Sequence, residues 1–209
     1  MIALCVNWGC DAAPDAPHQA PPVAFEPKLR FLGDAHDRTR FACPPDSTVA
    51  EPLLPTVTRA GFVIDLPADA IETAHGPERD AAGVPQTRQA WHWQQWHAVL
   101  TSRLIPTAQL LADSVEVVIG PGDHDPVICR ELIAGRPAHI SATYLENWDP
   151  FGPGEAVSVW YPLRSKSTLH LLFWGPRGNR AAFLHMARSL RFDEPTVIGV
   201  TAATFYLHS

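Results

Sequence analysis

Hydrophobic and polar positions alternate most clearly near the C-terminal end of the chain. Val157, Val159 and Tyr161 alternate with Ser158 and Trp160, the period of two that marks a strand with one buried face. The polar residues 164–167 have the length of a hairpin loop. Residues 168–174 are dense in apolar and β-favouring side chains, which predicts a partner strand covered on both faces. Gly175-Pro176-Arg177-Gly178-Asn179 supplies turn chemistry, with Asn179 placed to cap a helix. Phe183, Met186, Ala187 and Leu190 then recur at helical spacing and form one apolar stripe, before a closing strand that reaches Phe192.

Upstream, the same reading predicts a strand over residues 60–67, closed by Pro67, and an exposed loop over 68–84 with turn residues at Gly76-Pro77 and Gly83. Trp93, Trp96, His97, Leu100 and Leu104 fall at i, i+3, i+4, i+7 and i+11, which predicts an amphipathic helix over 87–104 that ends before Pro106. A further helical turn is expected over 107–112. Strands are expected over 114–119, 127–133 and 138–145, the last two around Gly135-Arg136-Pro137. Residues 1–58 hold nine prolines and no sustained period, so they read as a leader or tether, with residues 25–31 docking on the domain. The expected organisation is a leader (1–58), an α+β domain (59–192) built as an antiparallel sheet flanked by helices, and a tail (193–209).

Composition changes this picture at three points. Hydrophobic residues make up 46% of the 209, enough for a real core, and no apolar run reaches the ~18 residues of a membrane span. The net charge of −6 argues against nucleic acid as a partner. That charge is uneven: residues 1–150 hold 10 basic and 19 acidic groups, whereas residues 151–192 hold 6 basic and 1 acidic. The basic end is either solvated surface or a face for an anionic or acidic partner.

Gly9-Cys10-Asp11, followed by Ala-Ala-Pro-Asp-Ala-Pro, resembles a bacterial lipoprotein junction, which makes Cys10 a candidate for lipidation. Asn7 and Trp8 depart from the usual residues before that Gly, so the start would lie upstream or the signal would be degenerate. In an exported chain Cys43 and Cys129 are able to pair, with Cys5 removed in the leader. Neither a CxxC pair nor a zinc-type Cys/His spacing occurs, so no structural metal is implied.

Candidate chemistry is sparse. His92 and His97 are poorly placed to share a metal: five residues subtend about 140° on a helix and opposite faces on a strand. The Trp91, Trp93 and Trp96 cluster reads as core packing or as an exposed aromatic surface for a partner. Asp123-His124-Asp125 would either gather two carboxylates for a hard cation or form a turn with Asp side chains on backbone amides. Glu146 and Asp149 read as surface groups. Arg177 and Arg180 sit beside a helix N-terminus, where they would hold an anion or simply flank a turn. No G-x-S-x-G elbow, P-loop or dinucleotide fingerprint is present.

Three pieces stand in an order that resembles the PsbP/DcrB-like family of small α/β domains. They are Gly61-Phe-Val-Ile-Asp-Leu-Pro67, Glu131-Leu-Ile-Ala-Gly-Arg-Pro-Ala138, and Phe183 through Ser189-Leu-Arg-Phe192. The resemblance spans residues 60–192 and implies an antiparallel sheet flanked by helices, in a family often found in bacterial lipoproteins. It implies no shared catalytic residues, because such domains mostly bind partners or assist assembly; separately, no cofactor is expected.

The expectation is therefore a non-enzymatic binding or assembly protein on the periplasmic side of the cell envelope. Its candidate surfaces are Trp91, Trp93, Trp96, Arg177 and Arg180, and its partner is a protein or a small ligand. Membrane contact would come through Cys10 alone; a cytoplasmic location is the alternative. Two other classes compete: a metal-assisted hydrolase using Asp123, His124 and Asp125, and a small-ligand carrier with a pocket lined by Trp93, Trp96 and Trp160.

Overall fold

The computed structural model describes residues 28–31, 40–46, 49, 52–79, 83, 85–94, 97–106, 116–119, 123–146, 153–163 and 167–192. Strands β1 (Lys28–Phe31) and β7 (Glu116–Ile119) form a parallel pair. Strands β2 (Leu53–Val57), β3 (Phe62–Pro67) and β12 (Arg191–Phe192) form a small sheet in the order β12-β3-β2. The main sheet has seven antiparallel strands: β4 (Ile71–Arg79), β5 (Pro85–Trp93), β6 (Ala98–Pro106), β8 (Asp123–Ile133), β9 (Arg136–Leu145), β10 (Gly154–Pro162) and β11 (Ser167–Gly175). Its spatial order, β4-β5-β6-β11-β10-β9-β8, joins two meanders where β6 meets β11. One nine-residue helix, α1 (Arg180–Arg188), completes the described elements.

The core lies between one face of the main sheet and a layer made of α1 and the small sheet. Val157, Val159 and Tyr161 from β10 and Leu169, Leu171 and Phe173 from β11 are all fully buried on that face. Phe183 of α1 stacks on Phe173 at 5.6 Å between centroids and meets Trp93 edge-on at 6.4 Å. From the small sheet, Phe192 stacks on Tyr161 at 4.6 Å. Phe183, Met186 and Leu190 each contribute roughly 1.5–3 kcal/mol by leaving water, which is what holds so short a helix in place. At Gly175 a side chain would not fit: an added Cβ would sit 2.7 Å from Ala98 Cβ and 2.8 Å from the tip of Phe183.

The expected α+β architecture with flanking helices is corrected by this topology, which is sheet-dominated with a single short helix among the described residues. The largest difference is the segment 87–104. It forms the β5–β6 hairpin, turning at Gln94 to His97, where His97 has φ 47° and its N–H meets the Gln94 carbonyl at 3.0 Å. Trp93 and Leu100 of the expected stripe are core residues on the two facing strands, seven residues apart, whereas His97 of the same stripe is exposed in the turn. Segment 98–105, rich in Val, Leu, Thr and Ile, also favours strand over helix. Segment 71–79, expected as a loop, is the edge strand β4. Pro77 is tolerated there because one side of an edge strand makes no ladder bonds.

Local chemistry predicts the remaining elements well. Strands β3, β9, β10, β11 and β12 and helix α1 form where period and turn residues place them, whereas β8 begins four residues before its expected start, so that Asp123-His124-Asp125, read as a turn, opens a strand with an irregular register before Val127. Within 1–58, β1, β2 and residues 40–46 are paired with the rest of the fold. Residues 1–27, 107–112, 147–152 and the tail 193–209 lie outside the described residues, and Cys10, Trp96 and Asp149 with them.

Candidate functional site

The antiparallel order brings the start of β8, the end of β9, the start of β10 and the N-terminus of α1 to one end of the main sheet. Two stretches far apart in sequence, Asp123-His124-Asp125 and the Arg177 to Arg180 turn, meet there. The Arg180 Nη1 donates to the Asp125 carbonyl at 2.8 Å. Asp125 is exposed and takes φ 48°, a left-handed conformation that Asp tolerates better than most residues. Strand β8 carries Asp123 and His124 by its backbone; their side chains lie outside the described residues.

The helix N-terminus already holds an anion, and it belongs to the chain. Glu155 of β10 is buried at 8% exposure, and its Oε2 accepts the Gly178 N–H at 3.0 Å and the Arg180 N–H at 2.7 Å. Its Oε1 lies 3.7 Å from the Arg180 Nε. The carboxylate thereby meets the unpaired amides and the positive end of the helix dipole. Asn179 occupies the N-cap position without a side-chain cap bond, since its φ −88°, ψ −7° is already helical. Arg180 is thus committed to Glu155 and Asp125. Arg177 is not: it is exposed, and its guanidinium lies 4.9 Å from the Tyr144 ring centroid, within cation–π range.

The aromatic candidates are placed differently. Trp91 is 3% exposed and Trp93 fully buried, both in the core, so the reading of these two as a partner surface is corrected to packing. Trp160 is on the opposite face of the main sheet, because its register partners His170, Arg103 and Arg88 alternate with the core positions. A pocket shared by Trp93 and Trp160 therefore does not form; the sheet stands between them.

That second face carries a group the sequence reading missed. Ser158 Oγ and His170 Nε2 are 2.6 Å apart, and Trp160 stacks on His170 at 3.7 Å with an interplanar angle of 6°. Burial, and secondarily the Arg103 guanidinium, push the His170 pKa down to about 3. A serine–histidine pair invites comparison with a nucleophile and its base. A general base, however, works best with a pKa near the operating pH, and this imidazole is held neutral and weakly basic. Arg103 is in turn paired to Glu78 at 2.7 Å, with Arg88 at 3.4 Å from the same carboxylate. The available signal was the mirror placement of Trp160 and His170 across the β10–β11 hairpin, visible once the two strands are paired.

A third cluster lies at the C-terminal end of α1. Arg188 makes a two-pronged contact with Glu131, Nε–Oε1 2.8 Å and Nη2–Oε2 2.9 Å, and donates to the Pro44 carbonyl at 2.6 Å. His185 and Arg188 approach Asp46 at 3.0 and 3.4 Å, and hydrogen bonding to His185 holds the Asp46 carboxyl below its ordinary range. Nearby, Cys43 and Cys129 form a disulfide with Cα atoms 5.2 Å apart. No group of three His, Cys, Asp or Glu able to hold a metal occurs among the described residues, and no helix among them is long and apolar enough to cross a membrane. No family model, curated protein or solved structure matches the chain.

Proposed function

We propose that this chain is a non-enzymatic binding or assembly module of the cell envelope, presenting the Arg177 end of its main sheet to an acidic protein partner. The observation that carries this reading is the internal neutralisation of the helix N-terminus. Glu155 occupies the amides that would otherwise attract an anion, and Arg180 is tied to Glu155 and Asp125. Arg177 stays exposed and is held over Tyr144, so its fork of N–H donors is offered to carboxylates at a small cost in ordering. The disulfide supports an oxidising compartment. The lipoprotein-like junction at Cys10 and the resemblance to PsbP/DcrB-like domains point to the envelope as well.

The test is titration of the full chain with a glutamate-rich decapeptide, against a lysine-rich peptide of equal length, followed by NMR or calorimetry. Saturable binding of the acidic peptide is expected, weakened at least fivefold by Arg177→Ala with thermal stability unchanged. Absence of binding, or equal binding by the variant, refutes the assignment.

A further inference from the structure

We propose that the Cys43–Cys129 disulfide is a redox latch that holds segment 40–46 along the outer edge of the main sheet, and that its reduction frees this segment while the domain stays folded. Strand β8 is the last strand of the seven, so one side of its ladder has no further strand of the sheet. Segment 40–46 lies there. Arg40 pairs in parallel with Val127, donating its N–H to the Pro126 carbonyl at 2.9 Å and accepting the Ile128 N–H at 2.8 Å. Three residues on, Cys43 is bonded to Cys129 of the same strand.

Both sheet edges carry residues that discourage pairing with another chain, and one of them is also covered. The opposite edge, β4, carries Pro77 and exposed charged residues, devices that discourage pairing with another chain. β8 likewise has Pro126 and the exposed Asp125 and Arg130, and beside Val127 and Ile128 its outer side is taken up by the overlying segment.

That segment lies on the surface of the domain. None of residues 40–46 is buried; Phe41 is 62% exposed, and Cys43 is the residue that packs partly against the core. Its other ties include the hydrogen bonds at Arg40 and the contacts of Arg188 and His185 with Pro44 and Asp46, the latter with a side chain 55% exposed. The pairs to Asp46 are exposed on the carboxylate side and contribute little, whereas the Arg188–Pro44 hydrogen bond is part-buried. β8, by contrast, is bonded to β9 along nearly its whole length, and Val127, Cys129 and Ile133 are core residues. Losing the covalent tie therefore separates the segment from the strand before it separates the strand from the sheet.

The chemistry needs a dithiol. Its thiolate attacks Cys43 Sγ, the more accessible sulfur, since Cys129 is 7% exposed. The Cys129 thiolate leaves and takes up a proton. The second thiol of the reductant then attacks the mixed disulfide, releasing Cys43 as a thiol and closing the reductant's own disulfide. Two electrons and two protons pass to the protein.

The experiment uses the full-length chain carrying Cys5→Ser and Cys10→Ser, so that Cys43 and Cys129 are the remaining thiols. Hydrogen exchange and limited trypsin digestion are compared before and after dithiothreitol, with reduction verified by alkylation of both cysteines. Reduction is expected to accelerate exchange of the Ile128 amide and cleavage after Arg40 at least tenfold, while the amides of Val157 and Leu171 keep their protection. Unchanged exchange at Ile128 in the reduced protein overturns the proposal. So does simultaneous loss of protection at Val157 and Leu171, which would make the bond a brace of the whole domain.

Discussion

Removal of the Glu155 carboxylate isolates the interaction that organises the candidate site. In the folded chain it accepts two backbone amides, from Gly178 at 3.0 Å and Arg180 at 2.7 Å, and sits in a position only 8% exposed. Hydrogen bonds to a charged group contribute about 1.5–3 kcal/mol each, and the first turn of a helix adds about 0.3–1 kcal/mol for a nearby anion. These contributions overlap, and the exposed Gly178 amide regains water when the carboxylate is lost. Glu155→Ala is therefore expected to lose about 2–3 kcal/mol, and Glu155→Gln, which keeps a neutral acceptor of similar shape, about 1 kcal/mol. The assay is urea unfolding followed by tryptophan fluorescence. With a slope near ~2 kcal/mol/M for a domain of this size, the midpoint of the Ala variant should fall by about 1–1.5 M. A change below ~0.5 kcal/mol for Glu155→Ala would refute the capping argument. An equal loss in the Gln variant would refute the role of charge.

Three further outcomes follow from the same geometry. His170 has its folded pKa lowered to about 3 against 6.5 for the ordinary group, so below 6.5 the unfolded chain binds more protons and stability falls with pH down to about 3, by up to about 1.4 kcal/mol per unit. In unfolding measured from pH 7 to 4, the advantage of wild type over His170→Gln should shrink steadily; a constant difference contradicts a neutral buried imidazole. Gly175→Ala should lose about 1–3 kcal/mol in the same unfolding assay, because its methyl group would press on Ala98 and Phe183. Arg188→Ala should lose about 1–3 kcal/mol by leaving the part-buried Glu131 carboxylate without its two-pronged partner, and Glu131→Gln in that background should recover part of it by calorimetry.

Much of the fold is local and was readable in advance. Turn residues at Gly175 to Asn179 and the apolar spacing of Phe183, Met186 and Leu190 determine a helix there in any fold that offers an apolar surface. Alternation in residues 157–161 determines a strand in the same way. The segment 87–104 is ambiguous for a physical reason: Trp93 and Leu100, core residues on the two strands of the hairpin, stand seven residues apart, a separation a helix also produces. Which pattern wins depends on whether a neighbouring strand is available, and β11 supplies it by pairing with β6.

The candidate site was half legible. Arg177 and Arg180 could be singled out because they flank a helix start, and Asp125 because it lies between Gly-Pro-Gly and a proline. Their convergence could not, since it depends on strand order. Glu155 could not be recognised as the helix cap either, because it lies 23 and 25 residues before the amides it receives. The sequence by itself determined strands β3, β9, β10, β11 and β12, the Gly175 turn and the helix, each a property of a few consecutive residues. The tertiary structure alone decided which charges are spent on one another and which stay exposed, because that balance is set by groups distant in the chain and packed within a few ångströms.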